Sequence, residues 1–217
     1  MSNKERKFLV PERWLSSVWA IPALFLGIAI AAFGLLLPKL GYYMDDWHFV
    51  YYAHTFGTQS LKELLLYDSR PYAAWLYILG FKVLGFQPAV WHLSGLVLRA
   101  TTAFVFYLFF ERFWGEKKRI AFSIAVLFLV YPFFLLQPMA VAYFIHWFGF
   151  LLYALSLYLM LIAFEHSGTR RFSLIGLALL FEGLHLFGSE FFAGLELLRG
   201  LVLWIIISRS EEKILAK

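Results

Sequence analysis

The stretch WLSSVWAIPALFLGIAIAAFGLLL, from Trp14 to Leu37, carries no charged side chain between Arg13 and Lys39. A helix over it, rising 1.5 Å per residue, is long enough to cross the roughly 30 Å hydrocarbon core of a bilayer. The basic MSNKERK in front of it invites a signal-peptide reading. The apolar run, however, is about twice a signal h-region and has no small-residue cleavage site at its end. It reads as an uncleaved first span.

Working outward, comparable apolar runs recur over Ala89 to Phe110, Ile120 to Leu136, Ala142 to Phe164, Phe172 to Leu186 and Phe191 to Ile207, the fifth being the shortest. Helix stops and charges separate them: Pro38, Gly115-Glu116-Lys117-Lys118-Arg119, Pro132, Pro138 and Ser167-Gly168-Thr169-Arg170-Arg171. Hydrophobic residues make up 62% of the 217 and charged ones 15%, against about 25% charged in soluble domains, so a water-facing surface cannot be assembled. The expected fold class is all-α: a polytopic transmembrane bundle of about six spans. It forms one domain over residues 1–217, with a first external loop at about 38–88 that holds interfacial helices.

Pro71 to Leu84 is apolar and helical in character, but is interrupted by Lys82 and is too short to span comfortably. It reads as an interfacial helix. Six spans with an internal N-terminus put Lys4, Arg6, Lys7, Arg13, Arg112, Lys117, Lys118, Arg119, Arg170, Arg171, Arg209, Lys213 and Lys217 on the cytoplasmic side. Lys39, Lys62, Arg70 and Lys82 fall opposite, an asymmetry that satisfies the positive-inside rule. A seven-span rival with an external N-terminus requires the Pro71 segment to cross. The net charge of +5 thus has a topological origin, and no motif for a nucleic-acid partner accompanies it. Cysteine is absent, which removes disulfide, thiolate and Cys-metal chemistry.

The polar centre of interest is Gly41-Tyr42-Tyr43-Met44-Asp45-Asp46-Trp47-His48-Phe49-Val50-Tyr51-Tyr52-Ala53. From Trp47 to Phe56 the aromatic spacing predicts a helix in the headgroup region, with both carboxylates at its N-terminus. Such an aspartate either caps the helix and offsets its dipole, or the pair acts chemically, as a general base or as oxygen ligands for Mg²⁺ or Mn²⁺.

Three elements in order resemble the N-terminal half of the GT-C superfamily glycosyltransferases, including the protein mannosyltransferase and aminoarabinose transferase families. The first is a short basic N-terminus, one span and the acidic Tyr43-Met44-Asp45-Asp46-Trp47-His48. The second is Arg70-Pro71-Tyr72-Ala73-Ala74-Trp75-Leu76-Tyr77, running to Gly80-Phe81-Lys82-Val83-Leu84-Gly85. The third is Phe187-Gly188-Ser189-Glu190-Phe191-Phe192.

The resemblance implies sugar transfer from a polyprenyl-phosphate donor at the non-cytoplasmic face of a bacterial inner (plasma) membrane, with both termini cytoplasmic. It makes Asp45 and Asp46 the catalytic residues, or ligands of a divalent cation, Mg²⁺ or Mn²⁺, near the lipid phosphate. It makes His48, Arg99 and Glu190 substrate-binding residues. Two features depart from the family. Gln137-Pro138-Met139-Ala140-Val141-Ala142-Tyr143-Phe144-Ile145-His146 supplies no second acid, and family members run to about twice this length. The chain ending at Lys217 is therefore expected to be a half-enzyme, a fragment or a shortened relative with membrane-protein partner subunits. The alternative function is a non-catalytic scaffold subunit that retains the module.

Within or at the ends of the spans, Arg99, Glu182, Glu190, Glu196 and Arg199 must be paired, snorkel, or line a wet cavity, because a lone charge there costs about 2.5–3.5 kcal/mol. Glu196 and Arg199, three apart, are expected to pair on one helix. His92, His146 and His185 read as interfacial or core histidines. No matched pair of broken helices marks a transporter.

Overall fold

The computed structural model describes residues 19–115, 117–131 and 138–215, with the side chains of Glu190 and 210–215 excepted. The basic N-terminus, the start of the expected first span at Trp14 and the end of the expected third span at Leu136 lie outside the described residues. Every regular element among them is helical. The α-helices are α1 (Ala20–Phe33), α2 (Asp46–Thr55), α3 (Leu61–Tyr67), α4 (Ala74–Leu84), α5 (Pro88–Phe113), α6 (Lys118–Val130), α7 (Phe144–Ala163), α8 (Gly168–Gly188) and α9 (Leu195–Leu215). Short 3₁₀ turns lie at Gly34–Lys39, Thr58–Ser60, Pro71–Ala73 and Glu190–Phe192.

Four segments are long and apolar enough to cross a membrane: Ala20–Lys39, Pro88–Phe113, Phe144–Ala163 and Gly168–Gly188. They coincide with the first, second, fourth and fifth expected spans, and the fifth is longer than its sequence pattern indicated. The protein is a polytopic, membrane-embedded helical bundle. α6 stops after 13 residues, because Pro132 bars the residue before it from helical geometry, and Tyr131 turns to φ −54, ψ 117. The last expected span begins four residues late. Phe191 and Phe192 belong to a 3₁₀ turn, and α9 starts at Leu195. The Pro71–Leu84 segment is the short apolar helix expected, about 21 Å long at 1.5 Å per residue.

The chain forms two compact units, one from residues 1–47 and 86–147, the other from 48–85 and 148–217. In the first unit, Ile21, Phe25 and Ala29 make a stripe at every fourth position of α1. The stripe meets Leu96, Ala100, Ala103 and Tyr107 of α5 and Ala121, Phe122, Ala125 and Leu129 of α6. The alanines let helix backbones approach closely, the usual device where lipid provides no hydrophobic drive for association. Phe25 fills the gap they leave, its ring 5.4 Å from Phe122 and 6.2 Å from Tyr107. Pro22 sits in the first turn of α1 and Pro88 opens α5, positions where the missing N–H costs nothing. Hydroxyls on the spans are satisfied locally: Ser94, Thr101, Thr102 and Ser123 each donate to the carbonyl four residues back, at 2.6–3.0 Å.

In the second unit, Leu61, Leu64 and Leu65 of α3 and Ala73, Ala74, Tyr77 and Phe81 of the following helical segment are all buried. Phe49 of α2 stacks on Tyr77 with centroids 4.4 Å apart. Gly85 ends α4 at φ +68, ψ −149, a region open in practice to glycine alone. Gly149 of α7 lets Phe192 press against the helix backbone: a Cβ there would lie 2.4 Å from Phe192 Cε2.

Candidate functional site

After the Gly34–Lys39 turn the backbone extends at Leu40 and enters the acidic loop. Met44 adopts φ +45, and the tight turn that results returns the Asp46 N–H to the Tyr43 carbonyl (2.9 Å) and the Trp47 N–H to the Met44 carbonyl (3.2 Å). This turn separates the two aspartates. Asp46 points inward and is completely buried, whereas Asp45 is exposed.

The Asp46 carboxylate accepts four backbone N–H bonds. Oδ2 takes Tyr43 (3.3 Å) and Ala140 (2.9 Å), and Oδ1 takes Val141 (2.8 Å) and Ala142 (2.8 Å). Ala140, Val141 and Ala142 lie in the turn that leads into α7, the kind of helix entrance whose N–H groups call for acceptors from outside the helix. Asp46 therefore serves a helix entrance, although not that of α2, on which it resides. An ionised carboxylate offers about four lone-pair positions, and all four are used here. Burial pushes the Asp46 carboxyl up from its ordinary value, against the pull of these four donors toward the ionised form.

Neighbouring groups fix the same loop. His92, buried on α5, donates from Nε2 to the Gly41 carbonyl at 3.0 Å, which identifies the nitrogen carrying the proton. Trp91 is fully buried and meets Phe144 edge-on at 5.2 Å. Tyr42 sits edge-on to Trp47 at 5.6 Å. Burial first, and the Asp46 charge second, push its phenol up to about 12. Tyr43, Met44 and Trp47, close to Asp45 in sequence, are exposed, and the two aromatic rings among them suit a headgroup region.

Arg99 is buried on α5. Its guanidinium lies 4.1 Å above the Phe33 ring and 4.7 Å above the Trp147 ring, and Nη2 donates to the Tyr131 carbonyl at 3.3 Å. Two aromatic faces thus help to offset the burial of this cation. Phe33, Trp147 and Tyr131 also border a cavity of about 190 Å³ that reaches His92 and Ala140.

Comparison with protein-family models, curated proteins and solved structures finds no match.

The remaining expected residues fall as follows. His48 is exposed on α2, just past the acidic pair. Glu190 opens the 3₁₀ turn Glu190–Phe192, and its side chain is outside the described ones. Of the two residues expected as base or metal ligand, Asp45 is exposed, whereas the lone-pair positions of Asp46 are taken up by four backbone N–H groups. Among the described residues no group of three or more His, Asp or Glu side chains is placed to hold a metal ion.

A second polar cluster, in the other unit, was only half foreseen. Glu196 and Arg199 do pair along α9, through Arg199 Nε and Nη2. Arg199 also reaches Glu182 Oε1 at 3.5 Å and Ser156 Oγ at 3.0 Å, while His185 Nε2 lies 3.3 Å from Glu196 Oε1. Ser156 donates in turn to the Ala178 carbonyl (2.8 Å) and the Tyr153 hydroxyl to that of Leu195 (2.9 Å). The signal available was spacing: Glu182 and His185, like Glu196 and Arg199, stand three apart and share a helix face.

Proposed function

We propose that this protein is a membrane-embedded GT-C-like glycosyltransferase module in which Asp45 is the general base, acting at the non-cytoplasmic face on a polyprenyl-phosphate-linked sugar. The acceptor hydroxyl gives its proton to an Asp45 carboxylate oxygen, and the acceptor oxygen bonds to the anomeric carbon. The bond from that carbon to the phosphate oxygen breaks, and polyprenyl phosphate leaves with the electron pair. Asp46 acts as a positioning residue that holds the loop. Both termini lie on the cytoplasmic side of a bacterial inner membrane in this reading.

One observation carries the proposal: of two adjacent carboxylates, one is fully buried in four N–H bonds while its neighbour is exposed. A base has to keep a lone pair accessible and be held where the substrate arrives. Asp45 meets the first condition, and the Asp46 anchorage provides the second. The test is sugar transfer from a labelled lipid donor. Asp45→Asn should abolish transfer with unchanged thermal stability, and normal transfer by that variant removes Asp45 from the mechanism.

The scaffold reading draws on the same observation, since an aspartate committed to holding a loop needs no catalysis to explain it. Purification in mild detergent separates the two. A stoichiometric membrane-protein partner without bound lipid-linked sugar supports the scaffold.

A further inference from the structure

The second unit contains a larger hollow. The α3 helix, the Pro71–Ala73 turn, α4 and the C-terminal part of α8 enclose a cleft of about 840 Å³, inside the range of about 300–1,000 Å³ typical of small-molecule sites. Its walls include Trp75, Leu79, Leu184 and Phe187, and its border carries Lys62 and Lys82. Tyr72 and Phe187 close one end with rings 5.3 Å apart. Gly183 leaves the wall open where its side chain would project, with nothing within 4 Å of a Cβ placed there.

Both lysines are exposed, and among the described residues neither has a hydrogen-bond or ion-pair partner. Lys82, in the last turn of α4, is also where a cation offsets a helix dipole. That accounts for one lysine and not for a second on another helix beside the same cleft. Lysine stems lie along apolar surface while their ammonium groups reach polar surroundings, and an ammonium is a point charge well suited to phosphate oxygens. An apolar cleft alongside a membrane-crossing helix, bordered by two cations, is complementary to one class of molecule: an apolar chain ending in an anionic phosphate.

We propose that this cleft binds one anionic diacyl phospholipid of the surrounding bilayer, an acyl chain lying against Trp75, Leu79 and Leu184 and the phosphate between Lys62 and Lys82. The inference does not depend on sugar transfer, since no residue of the cleft belongs to the unit that carries Asp45.

The full chain, delipidated in detergent, is titrated with phosphatidylglycerol or phosphatidylcholine, and bound lipid is counted by native mass spectrometry. Wild type should retain one phosphatidylglycerol in preference to phosphatidylcholine. The Lys62→Gln/Lys82→Gln double variant should bind it about tenfold more weakly or worse, as two lost cations near an anionic lipid imply. Gly183→Leu, which fills the cleft and leaves both charges in place, should weaken binding as well, and Asp45→Asn should bind like wild type. Equal affinity for the two lipids overturns the proposal, as does unchanged binding by the double variant. Displacement of the bound lipid by inorganic phosphate alone overturns it too, because the site would then recognise only a headgroup. Preferential competition by a polyprenyl phosphate would reassign the cleft to a sugar carrier.

Discussion

Replacing Asp46 with Asn changes one oxygen into an amide nitrogen and almost nothing in volume, so its effect can be worked from the four N–H bonds. The amide oxygen keeps two donors. The other two N–H groups then face an NH₂ group, which donates and cannot accept. Two charge-assisted bonds are lost, each worth about 1.5–3 kcal/mol, a gross loss of about 3–6 kcal/mol. The variant no longer buries a charge, and this offsets part of the loss. A net destabilisation of about 3 kcal/mol remains, a large share of the roughly 5–15 kcal/mol that holds a typical protein folded. The effect should be local before it is global. At about 1.4 kcal/mol per tenfold, hydrogen exchange at the amides of Ala140, Val141 and Ala142 in detergent-solubilised protein should quicken by about a hundredfold. Asp45→Asn, at an exposed position, should stay within about 0.5 kcal/mol of wild type and leave those amides protected. If Asp46→Asn matches wild type in both unfolding midpoint and exchange at 140–142, the anchoring role assigned to Asp46 is wrong.

Gly149→Ala places a methyl group 2.4 Å from Phe192 Cε2 and should cost about 1–3 kcal/mol by overpacking. Adding Phe192→Leu should recover most of that in a thermal melt. Arg199→Leu removes the cation shared by Glu182 and Glu196 and should destabilise by about 3 kcal/mol, as breaking a buried pair does. Converting both glutamates to Gln in the same chain should restore much of the midpoint. Tyr42 should ionise near pH 12, and its ultraviolet titration should be absent in Tyr42→Phe. Because its folded value lies above that of free tyrosine, its contribution to stability is fully present below about pH 10 and is lost as pH climbs toward 12. Asp46→Asn should bring the Tyr42 titration down, since the Asp46 charge is one cause of the rise.

The sequence disclosed what depends on length, period and local stops. The four long apolar helices stand where long, predominantly hydrophobic runs stand, and α2 begins at Asp46 where the aromatic spacing begins. The Pro71–Leu84 helix is too short to span because Gly85 ends it in a backbone conformation that only glycine accommodates. The late start of α9 was hidden. Phe191 and Phe192 are as apolar as any span residue, and the Phe192 ring instead packs against Gly149, which adjoins it in space and not in sequence. The same holds for Ser156 and Tyr153, which join the Arg199 cluster from a different helix.

The partners of Asp46 were the least legible feature, and the reason is chemical. Its donors are main-chain N–H groups of Ala140, Val141 and Ala142, residues whose side chains carry no polar signature, so no pattern of letters 94 to 96 positions away could announce them. An acidic pair in a sequence is ambiguous between two carboxylates sharing one task and two with separate tasks. The ambiguity disappears once lone pairs are counted, because a carboxylate accepting four N–H bonds is saturated. Saturation fixes the turn at Met44, and that turn sends the next side chain outward. The accessibility of Asp45 thus follows from the burial of Asp46: loosening the anchor should move the candidate base as well. Asp46→Asn is therefore expected to impair any reaction that depends on Asp45 even though Asp46 itself touches no substrate.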